Sequence, residues 1–190
     1  DPGAGSGSGG YAVYAGRLSE DKGVLDAVEA WRQVGSGITL RVIGDGPLRS
    51  QIGLYGETIP GVQVLGAMTH EHVLDQLRGA RFMVFPSHLY EGSPMAIIEA
   101  LAVGTPVIAG DIGAASEMIE DGVTGRLYPV GNSDKLAAEV RELLAADGRT
   151  HTMRVNARSA YQELYSAGVN YVQLMAIYAA ARAESTRAPA

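Results

Sequence analysis

Short, mostly apolar runs alternate along this chain with longer runs in which apolar residues recur every three or four positions. The short runs, 11–15, 38–43, 62–65, 82–85, 107–109 and 125–128, predict strands. They read as continuously apolar rather than alternating, the pattern of strands covered on both faces. The longer runs predict helices. Residues 22–34 place Val24, Leu25, Val28 and Trp31 on one face. Residues 47–55 open on Pro47, a residue tolerated in a first turn, and residues 70–77 follow Thr69, a good N-cap. Further helices are predicted over 94–103, 115–120 and 134–145, the last capped by Asn132 or Ser133, and helical pattern continues to about Arg182.

Strand and helix in alternation give an α/β fold, a Rossmann-like, doubly wound parallel sheet in a single domain over 11–182 with helices at its C-terminal end. Residues 1–10, nearly all Gly, Ser, Ala and Pro, predict a flexible linker or a cloning remnant, and residues 183–190 a frayed tail. The sequence enters its first strand abruptly, as a domain cut from a larger protein would. Tyr171, Leu174, Met175 and Tyr178 make an apolar stripe beyond a domain that already looks complete. Two readings of it stand: packing on the chain's own sheet, or packing on a partner domain that is absent.

Composition narrows the chemistry. The 190 residues hold no Cys, which excludes disulfides, thiolate metal sites and a cysteine nucleophile and fits a reducing cytoplasm. A net charge of -6 argues against nucleic acid as a partner. No run approaches a membrane span, and no secretory signal leads the chain.

In such sheets ligands gather beyond the carboxyl ends of the strands, so the loops there carry the candidate residues. A GxGxxG pattern through Gly5, Gly7 and Gly10 precedes a strand instead of following one and is set aside. Gly44-Asp-Gly-Pro follows a strand but lacks a third glycine, and there is no Walker A sequence. The loop from Gly16 to Gly23 brackets a tight turn with Arg17 and Lys22. Together they suit a diphosphate, the Arg as a fork and the Lys as a point charge. On the loop alone, Lys22 also reads as a solvated first-turn residue. After the strand at 82–85, Ser93 is the expected N-cap and Pro94 the first helical residue. The amides of Met95 and Ala96 would then form an anion site at the helix tip. Glu91 precedes this tip and Glu99 follows it. Carboxylates beside an anion suit neutral hydroxyl groups on either side of it, although both also read as ordinary solvated charges. His70 and His72 read as solvated, His151 as surface, and His88 lies nearby without an identified partner.

The segment from Pro86 to Pro106, with Glu91-x7-Glu99 inside PSHLYEGSPMAIIEALAVGTP, resembles the signature of the family 4 retaining glycosyltransferases of GT-B fold. So do Gly16-Arg17-Leu with Lys22-Gly23, Val42-Ile-Gly-Asp-Gly46-Pro, the turn at Val64-Leu-Gly66, and Glu117 followed by Asp121-Gly-Val-Thr-Gly125. The elements stand in the family's order over roughly 11–145. The resemblance implies the donor half of a two-domain enzyme that transfers a hexose-type sugar from a nucleotide sugar to an acceptor hydroxyl. It implies retention and needs no metal or cofactor. The sequence has no Asp-x-Asp triplet in line with that. It implies that Arg17, Lys22 and the amides at Met95 and Ala96 bind the diphosphate, with Gly16 and Gly44 approaching the donor. Glu99 would take the ribose, Val64 and Leu65 the base, and Glu91 the sugar and the charge at the reacting face. Gly92 would lie beside the sugar, and Ser93 departs from the bulky residue common at its position. The acceptor (glycan, lipid or small molecule) and any peripheral membrane association would belong to the absent N-terminal domain. The fragment alone is expected to bind donor without transferring it. Alternatives are a non-catalytic nucleotide-sugar-binding module and a GT-B nucleotide-sugar epimerase.

Overall fold

The computed structural model describes residues 1–185, with side chains at 1–146 and 148–182. Its six strands are β1 (Tyr11–Ala15), β2 (Thr39–Ile43), β3 (Val62–Gly66), β4 (Phe82–Phe85), β5 (Val107–Gly110) and β6 (Gly125–Tyr128). They form one sheet in the order β3-β2-β1-β4-β5-β6, every pairing parallel. The helices are α1 (Val24–Val34), α2 (Arg49–Thr58), α3 (His70–Gly79), α4 (Met95–Ala102), α5 (Gly113–Met118), α6 (Ser133–Ala145), α7 (Asp147–Ala160) and α8 (Ala167–Ser185).

Alternate strand residues feed two cores, which is why the strands are apolar throughout. Ala12, Tyr14, Leu40, Val42, Phe82, Val84 and Ile108 face one side, with Val28 and Trp31 of α1, Ile52 of α2 and Leu136 and Val140 of α6. Val13, Ile43, Met83, Phe85, Val107 and Ala109 face the other, with Leu77 of α3, Ile97 and Leu101 of α4, Ala115 of α5 and Ala157 of α7. The buried Trp31 indole donates to the Ile38 carbonyl at 2.8 Å, so the largest core side chain carries no orphaned N–H.

Several predicted boundaries shift, each for an identifiable reason. The helix expected over 22–34 breaks at Gly23, whose φ of 65° ends a short 3-10 turn before α1 begins. Pro47 lies outside α2, because the Leu48 amide donates to Leu18 at 2.9 Å and fixes the turn ahead of the helix. Ser93 does not cap α4, and Pro94 flanks that helix instead of opening it. A residue before proline is driven toward extended backbone, and Pro94 itself has ψ 97°. Its carbonyl accepts the first helical bond, from Ile97 at 3.0 Å. The expected caps Thr69 and Asn132 do accept, from His72 and Lys135.

The glycine-rich lead does not hang free. Gly5, Gly7 and Gly9 donate to Val103, Arg78 and Gly79 at 2.8, 3.0 and 2.8 Å, which lays the segment along the amino ends of the strands. The reading of the Tyr171 stripe as packed on its own sheet is overturned: Tyr171, Leu174, Met175 and Tyr178 are 64, 42, 47 and 56 % exposed. Helix α8 continues past Arg182 to Ser185, and the rest of the expected tail, 186–190, lies outside the described residues. No helix among the described residues is long and apolar enough to cross a membrane.

Candidate functional site

The strand order reverses direction between β1 and β4, so the loops after these two strands part and leave a crevice at the carboxyl edge. They are the loops that carry Arg17 and Lys22 on one side and Glu91 on the other. Two glycines bring the surrounding backbone together. Gly23 has φ 65° and lies so close to the Pro86 carbonyl that a Cβ would collide with it. Gly44, at φ 143°, meets the Gly16 carbonyl in the same way and draws the loop after β2 against the loop after β1. Tyr14 braces this arrangement from below. Its buried hydroxyl donates to the Arg17 carbonyl at 2.8 Å. Burial, with Asp21 and Glu91 adding to it, pushes that hydroxyl well above the ordinary tyrosine range, so it remains a donor.

Two clefts open here. One, of about 240 Å³, is lined by Tyr14, Gly16, Arg17, Lys22, Ser87, Glu91 and the α4 start at Pro94, Met95 and Ala96, among others. Met95 and Ala96 precede the first intrahelical bond, so their amides lie at the positive end of α4. The other cleft, of about 300 Å³, is lined by Gly44, Asp45, Ala67, Met68, His70 and Glu99 among others. Gly16, Arg17 and Ala96 border both. Glu91 lines only the first and Glu99 only the second. The junction between two carboxylates is thus a guanidinium and a helix tip.

The side chains are not equally committed. Arg17 is exposed and its guanidinium makes no hydrogen bond or ion pair among the described residues. Lys22 Nζ lies 2.8 Å from Glu91 Oε1, both side chains about a quarter exposed. Ser87 Oγ donates to the same oxygen at 2.8 Å, and the Ala114 amide holds the Glu91 carbonyl at 3.2 Å. Glu99 is half-buried, and burial raises its carboxyl above the usual range against a lowering by His70, whose Nδ1 is 3.5 Å from Glu99 Oε1. His88 has a partner after all: its Nε2 is 2.6 Å from Asp26 Oδ2, which clips the loop after β4 to α1.

Val64 and Leu65 do not reach these clefts. They pack at the margins of the two cores, and the neighbouring wall is Ala67 and Met68. Gly92 and Ser93 line a separate depression with Glu117 and Tyr165. Sequence reasoning missed Tyr14, Ser87, Met68 and the contact of His70 with Glu99. Ser87 stood within the recognised segment. Nothing in the local pattern marked the others. Among the described residues no three His, Asp or Glu side chains converge as a metal cage would require.

The arrangement suits an anion at the junction, flanked by hydroxyl-bearing groups on both sides. A family profile described as Glycosyl transferases group 1 matches residues 9–146. The alpha-D-kanosaminyltransferase of Streptomyces kanamyceticus is 30% identical over 173 residues, covering 87% of this chain and 44% of its own length. Among solved structures, sucrose-phosphate synthase of Thermosynechococcus elongatus superposes with a TM-score of 0.80 at 26% identity, over 94% of this chain and 47% of that one. HepE of Anabaena in complex with UDP-glucose gives a TM-score of 0.80 at 22% identity, over 90% and 49%. The chain spans less than half the length of the curated relatives it matches.

Proposed function

The chain belongs to the group 1 glycosyl transferases, and from that premise we propose that it is the donor-binding half of a metal-independent, retaining enzyme that moves a hexose-type sugar from a nucleoside diphosphate onto an acceptor hydroxyl. The observation that carries this reading is the junction: Arg17 and Ala96 border both clefts, with Glu99 on one side only and Glu91 on the other only. A nucleotide sugar has the same order of chemistry, with ribose hydroxyls, then a diphosphate, then sugar hydroxyls.

In this reading the diphosphate lies between Arg17, Lys22 and the amides of Met95 and Ala96. Glu99 accepts from the ribose, and its half-burial makes a neutral hydroxyl a better neighbour than a second charge. The base occupies the cleft beside Gly44, Met68 and Ala67, with Val64 and Leu65 supporting the wall from behind rather than touching the ligand. Glu91 accepts from the sugar. As the sugar–phosphate bond breaks, negative charge gathers on the leaving diphosphate. Preorganised cations and amides aimed at that charge lower the barrier without reorganising, which is the work a metal would otherwise perform. Glu91 and Glu99 stand at opposite ends of the donor and do not form a glycosidase acid/base pair.

The acceptor and the exclusion of water belong to the partner domain, so the fragment alone binds donor and transfers nothing measurable. The test is calorimetric titration with UDP, GDP and ADP, then with their hexose conjugates, in the presence of EDTA. At least one series binds between about millimolar and micromolar, a few charge-assisted hydrogen bonds less the association cost. Glu99→Ala weakens nucleotide and nucleotide sugar alike, whereas Glu91→Ala costs affinity only when the sugar is attached. Identical behaviour of the two variants, or affinity abolished by EDTA, refutes the assignment.

A further inference from the structure

The hydroxyl of Ser87 is buried, the residue being 2 % exposed, and it both accepts and donates within the loop. The Leu89 amide donates to Oγ at 3.3 Å, which occupies one of its two lone pairs. The single hydroxyl hydrogen then goes to Glu91 Oε1 at 2.8 Å, because an ionised carboxylate only accepts. Lys22 Nζ donates to the same oxygen at 2.8 Å. Both protein donors therefore converge on Oε1, and Oε2 has no donor among the described residues. A carboxylate has capacity for about four hydrogen bonds, and here the two unoccupied directions on Oε2 are grouped together.

We propose that Ser87 is a positioning residue: by holding Oε1 it presents Oε2 of Glu91 as the acceptor for a sugar hydroxyl. The inference rests on the reading of Glu91 as the sugar-side carboxylate and adds what fixes its orientation. Lys22 cannot do this alone. In that reading the lysine turns toward the diphosphate when donor binds, and Ser87 is the donor that stays. Its position is secure because Pro86 ahead of it abuts Gly23, so the loop after β4 is anchored where the hydroxyl sits.

The experiment is a double-mutant cycle on the purified chain, using the tightest of UDP, GDP and ADP and its hexose conjugate. The quantity read is the ratio of the two Kd values, nucleotide over nucleotide sugar, which a general loss of structure does not move selectively. Ser87→Ala lowers that ratio by about fivefold to tenfold, the scale of one ordinary hydrogen bond. Ser87→Cys keeps the volume of the buried site but offers only a weak donor, and it lowers the ratio similarly. In a Glu91→Ala background, Ser87→Ala changes the ratio no further. An unchanged ratio in both Ser87 variants, a normal ratio in Ser87→Cys, or an effect of Ser87→Ala that persists without Glu91 would overturn the proposal while leaving the function of the site intact. If Glu91→Ala itself leaves the ratio unchanged, the assignment of Glu91 fails and takes this inference with it.

Discussion

The two edges of the sheet hold cavities of comparable size, about 280 Å³ at the amino edge against about 240 and 300 Å³ at the carboxyl edge. Both also gather basic side chains, so neither volume nor charge tells them apart. Partnering does. At the amino edge Arg154 is 8 % exposed and donates to the carbonyls of Ala80 and Gly5 and to Thr105 Oγ1. Arg158 beside it donates to the Ala102 carbonyl and to Asp1. These guanidiniums satisfy backbone that the incoming glycine-rich segment and the strand starts would otherwise leave unpaired. At the carboxyl edge Arg17 is exposed with no such partner among the described residues, and Lys22 has one carboxylate. A basic group that completes the fold has its donors filled by the fold. A basic group that awaits a ligand keeps them.

The largest effect expected from that contrast lies at the amino edge. Arg154→Met orphans the buried Ala80 carbonyl and removes charge-assisted bonds to Gly5 and Thr105, so unfolding free energy falls by about 3 kcal/mol or more. Urea unfolding measures this, and nucleotide affinity per folded molecule stays as it was. Next, Arg17→Ala weakens nucleoside diphosphate binding by about 10- to 100-fold, while an exposed side chain with no hydrogen bond or ion pair among the described residues leaves the melting temperature within about 1 °C. A melt that collapses for Arg17→Ala, or an affinity lost with Arg154 in a protein that remains folded, would erase the distinction between the edges.

The smallest effect concerns the strain within the carboxyl edge. The Glu99 carboxyl is raised by burial, so folding favours its protonated form. A raised carboxyl costs stability above its folded pKa, and the cost disappears as pH falls below its unfolded value. Glu99→Gln therefore melts about 1 °C or slightly more above the parent at pH 7, and the gap closes toward pH 4. The same variant binds nucleotide more weakly. A gap that widens on acidification would contradict the sign.

Much of the fold was legible because its signals are local. Phe82–Phe85 and Tyr11–Ala15 are strands at their expected bounds, and Thr69 and Asn132 cap the helices they precede. Where the reading slipped, a contact from elsewhere had intervened. Leu48 is held by Leu18, and Pro94 is a buried flank rather than a first helical residue. The glycine-rich lead looked free because its composition carries no apolar pattern. What holds it is backbone hydrogen bonding to Val103, Arg78 and Gly79, which composition does not encode. His88 gained a partner in Asp26, 62 residues away, and no spacing rule reaches that far.

By itself the sequence determined which segments are strands, which faces are apolar, and that a helix tip with a carboxylate on each side follows the fourth strand. Those are consequences of propensity and periodicity acting over a few residues. The tertiary structure alone decided that Lys22 meets Glu91 across 69 positions, that Ser87 donates to the same carboxylate oxygen, and that Arg17 borders both clefts. The reason is the crossover that seats β4 beside β1. Only when the two strands pair do their loops share one crevice, and pairing order is a property of the whole sheet.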